Sequence, residues 1–441
     1  MTESKGLKYE ELALPYYINS REVFAGLTVS DLARASVLGG LNLFLVGDTG
    51  TGKSQLASDI YRHWFGGNKA EKGQGVFIRA HPDTNVYEEI FTNLNIERKQ
   101  RELTDSLEAL VCLVEEINRA PPIAQNQFFG LGDGKMDYRG REISLGREGY
   151  NLLIATANIG NGEFQGTFET DKAMLNRLHV ALDLEYRAFH PTFKDKYKIK
   201  TRRKADPNVR LAPIRDISDK IIQVSKEISE ATESSDLETQ AVLNYLETGL
   251  QNCQKYEVKD RVWPMGCQNC SFNQKKEALC SMIKAPTTRT IEVVRKYAAA
   301  LEYLAKLKNP EIEIEPYELI FKTFELTGAY QHLLNPTNLR AHYNHAPKVM
   351  AEAVEKLRQD YESQKDFILA SLEEAQKGEK VTRFFSHERK IGNYDGLNEK
   401  AREGVTLIEP FRDSREIGLA FVNDLIELTI EGREPEKRGK N

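Results

Sequence analysis

The stretch Gly47-Asp-Thr-Gly-Thr-Gly52-Lys53-Ser54 constrains this chain more than any other part of it. It follows Leu41-Asn-Leu-Phe-Leu-Val46, a β-rich run, and precedes Gln55 to Phe65, whose apolar residues recur at helical spacing. Strand, glycine-rich loop and helix in that order form a unit that belongs in a parallel α/β layer. Glycines at 47, 50 and 52 let the backbone turn so that successive N–H groups face one point, and the helix adds its positive end to the same anion site. Gly47, Asp48, Thr49, Gly50, Thr51, Gly52, Lys53, Ser54 and Gln55 are therefore the expected nucleotide-binding residues. Lys53 is expected on the β- and γ-phosphates of ATP, and the Ser54 hydroxyl on Mg²⁺.

The flanking segments extend that unit. Leu7 to Ala35 reads as interrupted helix, Val76 to Ala80 as a second strand and Val86 to Leu94 as a short helix. Ala109 to Val114 is a continuous apolar run suited to a central parallel strand, and Tyr150 to Ala157 and His179 to Tyr186 complete the series. The fold class expected is α/β: a P-loop NTPase core with a doubly wound parallel sheet, followed by a helical lid and a helical C-terminal region. Ile214 to Leu250 and Arg289 to Leu307 read as helices, and Met350, Val354, Leu357, Tyr361, Ile368 and Leu372 form one apolar stripe.

Leu110-Val-Cys-Leu-Val114 ends in Glu115 and Glu116. In a parallel sheet the strand ends share one edge, so Glu115 is expected in the Mg²⁺ shell and Glu116 on the γ-phosphate side, orienting or deprotonating the attacking water. Glu115-Glu-Ile-Asn-Arg-Ala-Pro-Pro122, with Gln125-Asn126 after it, resembles the Walker B segment of the MoxR family of AAA+ ATPases, whose usual form is Asp-Glu-Ile-Asn-Arg-Ala-Pro-Pro. The resemblance runs from about Leu38 to Leu184 and departs at Glu115, where the extra methylene moves the carboxylate outward.

It implies roles for further residues. Asn158, closing Leu152-Leu-Ile-Ala-Thr-Ala-Asn158, resembles the sensor 1 residue that positions the lytic water; Arg177 in Met174-Leu-Asn-Arg177-Leu resembles an arginine finger serving a neighbouring subunit. Arg119 has either an interface contact or a local salt bridge. Met136 to Leu145, turning at Arg139-Gly140, reads as a β-hairpin similar to the pre-sensor hairpin of the helix-2-insert clade, and Asp83 to Asp105 holds the place of the helix-2 insert. Ala285-Pro-Thr-Thr-Arg289 resembles the sensor 2 segment, with a one-residue difference in spacing, which makes Arg289 a candidate γ-phosphate contact.

Composition enters where the motifs stop. Sixty-one Lys and Arg against 66 Asp and Glu leave a formal charge of −5 in 441 residues, with 40% hydrophobic residues. That is globular, and it argues against a surface wholly given to nucleic acid. No run approaches the ~20 apolar residues of a membrane span, and the first residues lack a secretory h-region, so the expected location is cytoplasmic. From Lys194 to Lys204 seven of eleven residues are basic, which reads as a solvated loop or, alternatively, as a partner or nucleic-acid contact. Of five cysteines, Cys253, Cys267, Cys270 and Cys280 fall together. Four thiolates suffice for a structural Zn²⁺, but no second knuckle pairs with Cys267-Gln-Asn-Cys270, so an iron–sulfur cluster and metal-free thiols stay open.

The expected organisation is a nucleotide-binding domain over 1–190, a basic linker over 191–212, a helical lid over 213–345 with a cysteine-rich insertion at 250–282, and a helical region over 346–441. The resemblance implies an ATP-hydrolysing motor assembled as a hexameric ring that remodels or activates a client protein, often with a von Willebrand factor A-domain partner. A nucleotide-switched assembly scaffold with slow hydrolysis and a nucleic-acid-stimulated motor are the alternatives.

Overall fold

The strand before the glycine-rich loop lies inside a five-stranded parallel sheet of the computed structural model, which describes residues 7–68, 73–95, 100–158, 168, 170–202, 211–233, 236–249 and 282–376. Its elements begin with a single 3₁₀ turn, Tyr9–Leu12, and a small hairpin of β1 (Glu22–Phe24) and β2 (Leu27–Thr28). The helical reading of this stretch holds only for α1 (Val29–Leu38). Ala25 and Gly26 both take positive φ, 48° and 74°, and that turn stops any helix. After β3 (Leu43–Val46) and α2 (Lys53–Phe65) comes β4 (Gly75–Arg79).

The segment read as a short helix is one turn of π-helix, Tyr87–Phe91, running into a hairpin of β5 (Thr92–Asn95) and β6 (Gln100–Leu103). β7 (Val111–Glu115), α3 (Pro122–Asp133), the hairpin of β8 (Lys135–Tyr138) and β9 (Arg141–Ser144), β10 (Leu152–Ala157), α4 (Lys172–Leu175) and β11 (Val180–Asp183) follow.

The sheet order is β11-β3-β10-β7-β4, and every pairing in it is parallel. All four residues of β3 and all six of β10 are buried, as the continuous apolar runs require of strands covered on both faces. Register aligns the strand ends: Val46 pairs with Ala157 and with Asp183, and Arg79 with Glu115. One edge of the sheet thus carries everything that follows β3, β7 and β10. At the opposite edge the buried Asn42 donates to Gly132 O and Arg177 O, both at 2.8 Å, and accepts from Leu153 N, so one side chain satisfies three backbone groups that no strand ladder reaches.

The basic run corrects an expectation. Instead of a loop, Phe193–Arg202 is a helix, α5. Its start is a reciprocal capping box: Thr192 N donates to Asp195 Oδ2 at 2.9 Å and Asp195 N to Thr192 Oγ1 at 3.2 Å. Asp195 also accepts from Asn19 N and Ser20 N, which pins the helix to the segment before β1.

The chain divides into two compact units. The first takes Met1–Glu233 and Lys296–Ile314, including the sheet and α6 (Ser218–Glu233). The second takes Ser234–Arg295 and Glu315–Asn441. Its described helices are α7 (Leu237–Asn244), the start of α8 (Thr288–Lys308), α9 (Pro316–Gly328), α10 (Pro336–Ala341) and α11 (Ala346–Gln376). Met350, Val354, Leu357 and Tyr361 bury one face of α11, and Tyr361 stands edge-on to Tyr245 and Phe321 within that unit. The cysteines at 253, 267, 270 and 280 lie outside the described residues.

Candidate functional site

The loop between β3 and α2 has the backbone its glycines predict. Gly47, Gly50 and Gly52 take φ of 138°, 78° and 99°, and Gly52 stands just ahead of α2, so the helix begins at Lys53. Gly52 is required twice over, because a Cβ there would also meet the Tyr16 hydroxyl at 2.9 Å and Ile18 at 3.3 Å. Lys53 folds back over the loop, its Nζ donating to Gly47 O at 2.9 Å and Asp48 O at 2.6 Å. Burial lowers its pKa from the ordinary lysine value, against the opposing pull of Asp48, Glu185, Glu116 and Asp183. The ammonium is thereby held over the loop on carbonyl oxygens, which are neutral acceptors that a phosphate can replace.

At the end of β7 the chain turns sharply. Glu116 adopts φ 54°, ψ 46°, a left-handed conformation costly for a residue with a Cβ, and leads into a 3₁₀ turn, Ile117–Arg119. Its N–H donates to Thr156 Oγ1 on β10 at 3.0 Å. Arg119 Nε lies 2.8 Å from Glu116 Oε2 in a local salt bridge. Asn158 Nδ2 lies 3.5 Å from Glu116 Oε1, at the long limit of a hydrogen bond, while Asn158 O accepts from Asn118 Nδ2 at 2.9 Å. Glu115 takes a different partner: its Oε2 is 3.1 Å from Arg79 Nη2, across the β4–β7 register.

Ser54, Glu115 and Glu116 line one cleft of about 700 Å³, with Arg79 and Arg119 on its wall. A hydroxyl and a carboxylate beside a phosphate-binding loop form an oxygen donor set of the kind Mg²⁺ takes when phosphates and waters complete its shell. The residues fit the metal, and Ser54 and Glu115 are those that would hold it. A second, smaller cavity of about 130 Å³ is lined by Tyr16, Tyr17, Ile18, Gly50, Gly52, Gln55 and Ile199. Tyr16 Oη is buried there with no hydrogen-bond partner among the described residues, and burial raises its pKa.

Arg177 stands elsewhere. Its Nε pairs with Asp133 Oδ2 at 2.7 Å, its Nη1 donates to Ala173 O at 2.9 Å and its guanidinium stacks 4.5 Å from the Phe129 ring centre. Its carbonyl is tied to Asn42, ahead of β3, so it occupies the sheet edge opposite the loop and does not join Glu115 and Glu116. Arg289 is the second residue of α8, exposed, in the second unit.

Arg79, Thr156 and Tyr16 are neighbours of the site that the sequence did not disclose. Thr156 sits in an unbroken apolar strand, and Arg79 gains meaning only from the register between β4 and β7. Among the described residues no group of three or more His, Cys, Asp or Glu side chains could hold a metal, and no helix is long and apolar enough to cross a membrane. Cys112 is a buried residue of β7.

Residues 42–183 match the family of AAA domains described as the dynein-related subfamily. A similar solved structure, a candidate ATPase from Cytophaga hutchinsonii, superposes with a TM-score of 0.51 at 13% identity over 74% of this chain and 87% of that one. No curated protein matches the chain. Loop, carboxylates and domain match together make this an ATP-hydrolysing P-loop enzyme with an AAA fold.

Proposed function

We propose that the chain is a MoxR-type AAA+ motor, which assembles as a hexameric ring and spends ATP hydrolysis on remodelling or activating a client protein. The observation that carries this reading is that the residues assigned to catalysis by sequence pattern lie at two edges of one sheet. Lys53, Ser54, Glu115, Glu116 and Asn158 share the edge at the strand ends, and Arg177 stands at the other. A site whose Arg177 stands away from its own carboxylates is completed when a neighbour presents its Arg177, which is the logic of a ring.

ATP is the substrate, and Mg²⁺, which Ser54 and Glu115 would hold, would supply charge neutralisation on the phosphate oxygens. The chain's own contributions follow from the geometry. Lys53 leaves Gly47 O and Asp48 O for the phosphates. Glu116, fixed at its backbone by Thr156, takes the proton of the attacking water, and Asn158 orients that water. Tyr16, Tyr17 and Ile18 offer a mostly apolar wall beside Gln55 for the nucleoside part. Arg289 is assigned a γ-phosphate contact and the cysteine cluster a structural Zn²⁺, both on sequence pattern alone. A cytoplasmic setting and a von Willebrand factor A-domain partner belong to the same reading.

Steady-state phosphate release tests it: Lys53→Ala should abolish turnover and Glu116→Gln should lower it by roughly 10²–10⁴, and unchanged rates in both would end it. Pull-down with the Glu116→Gln protein held in ATP then identifies the client. The arginine contacts on both carboxylates favour a second reading, a nucleotide-switched scaffold with slow turnover. Wild-type turnover far below one per minute together with ATP-dependent assembly would select it.

A further inference from the structure

Glu115 is the position where the chain departs from the expected aspartate, and the longer side chain is the one engaged by Arg79. The two residues are direct neighbours across the parallel β4–β7 pair, at the last residue of each strand. Arg79 extends from an edge strand and its side chain is 71% exposed, whereas that of Glu115 is 15% exposed. The carboxylate is therefore the fixed, sheltered partner, and the guanidinium is the one that can leave into solvent at little cost. Both line the same cleft as Ser54. A carboxylate accepting a charge-assisted hydrogen bond from an arginine has part of its negative charge offset, and that charge is what a divalent cation needs.

We infer that Arg79 is a resident cation that competes with Mg²⁺ for Glu115, so that metal enters the nucleotide site by displacing Arg79 and the ATPase has a raised metal requirement. This rests on the ATPase-site reading above, with Ser54 and Glu115 as the metal-holding pair. An aspartate at 115, one methylene shorter, draws the carboxylate back from Arg79. In this account the Glu115 substitution and the arginine form one device. It sets the site's response to free Mg²⁺ and leaves Glu116 and the water chemistry alone. Arg79 is a positioning residue in this role, since it acts on the metal through Glu115.

The test is metal binding to the full chain in the presence of ADP, with Mn²⁺ as the probe and its free fraction read by electron paramagnetic resonance. Arg79→Gln should lower the half-saturating Mn²⁺ concentration by about two- to fivefold, the range expected of a partly exposed ion pair. Arg79→Lys, which keeps the charge, should stay near wild type. In a Glu115→Asp background Arg79→Gln should add no further shift, because the pair no longer exists. An unchanged or raised midpoint in Arg79→Gln overturns the inference. An equal shift in the Glu115→Asp background overturns it too, since that is what an unpaired surface charge would do. Melting curves of the variants exclude misfolding, and retained ADP binding in metal-free buffer shows the loop intact. If the wild-type protein binds no Mn²⁺ with ADP at all, the nucleotide-site reading fails and takes this one with it; if binding is normal and only the shift is missing, Arg79 alone loses its role.

Discussion

At the residue scale, Glu116 and Gly52 are the positions with least freedom. Glu116 is a non-glycine residue held in a left-handed conformation by its N–H bond to Thr156, and strain of this kind persists where the surrounding structure enforces it. Glu116→Gln keeps size and removes the proposed base, so kcat should fall by roughly 10²–10⁴ while binding of a fluorescent ATP analogue stays near wild type. If binding falls in proportion to kcat, Glu116 is part of the phosphate site rather than the base. For Gly52→Ala, an added methyl combines φ 99° with a 2.9 Å approach to Tyr16 Oη. Nucleotide affinity should drop about ten- to a hundredfold, the equivalent of roughly 1–3 kcal/mol of local strain. Adding Tyr16→Ala relieves the contact and leaves φ as it is, so partial recovery in titrations of the double variant apportions the two causes. The loop and the paired glutamates were legible in the sequence because their chemistry is local: adjacent residues make one anion site and one strand end. Arg79 was not, because its partner lies 36 residues away and their meeting depends on strand register.

At the scale of elements, the parallel strands were readable for the same reason that they are buried. A run such as Leu110 to Val114 has no polar side chain to place and can only be central. The stretch from Leu7 to Ala35 misled because its apolar residues suit a helix, while the Ala25–Gly26 turn makes a hairpin of its middle. In α5 the lysines masked a signal that was present, the Thr192-x-x-Asp195 capping box; the further anchoring by Asn19 and Ser20 is tertiary and left no trace. α1 yields a stability prediction. Asp31 is fully buried, paired with Arg34 Nη1 at 2.8 Å and Lys308 Nζ at 3.0 Å, and accepts from Tyr9 Oη and Thr28 N. Burial pushes its pKa up, but Arg34, the Thr28 amide, Lys308 and Tyr9 outweigh it, and the net result is a carboxyl below its ordinary range. A carboxyl depressed in the folded state contributes stability above its unfolded pKa of about 4 and loses it as pH falls through the lower folded value. Asp31→Asn leaves Arg34 and Lys308 uncompensated and should cost about 3 kcal/mol at neutral pH, with the gap to wild type narrowing below about pH 4. Urea melts in steps from pH 7 down to about pH 2.5 check both parts, and a gap that stays constant over that whole range would show that Asp31 contributes by packing rather than by charge.

At the scale of the whole molecule the question is whether one copy suffices for hydrolysis. Asn42 ties the Arg177 carbonyl to the start of β3, while the loop begins after its end, so the four residues of β3, roughly 13 Å of strand, separate the two levels. Asp133 and Phe129 hold the Arg177 side chain on its own side of the sheet. A cation fixed there cannot serve its own γ-phosphate without unfolding that edge, but it can serve a neighbour's. Arg177→Ala should therefore lower kcat by about 10³-fold or more with intact nucleotide binding, the scale of an arginine finger. Lys53→Ala should be equally inactive for the opposite reason, since it binds no nucleotide and still offers its Arg177. Mixed in equal amounts and allowed to exchange subunits, two inactive proteins should then regain activity. A site works when an Arg177→Ala subunit meets a Lys53→Ala neighbour on its finger side, which random mixing gives for about a quarter of sites, so about a quarter of wild-type turnover is expected. A mixture no more active than its parts, when mass measurements show mixed assemblies, would mean that Arg177 serves only to hold Asp133 and the end of α3 within its own subunit.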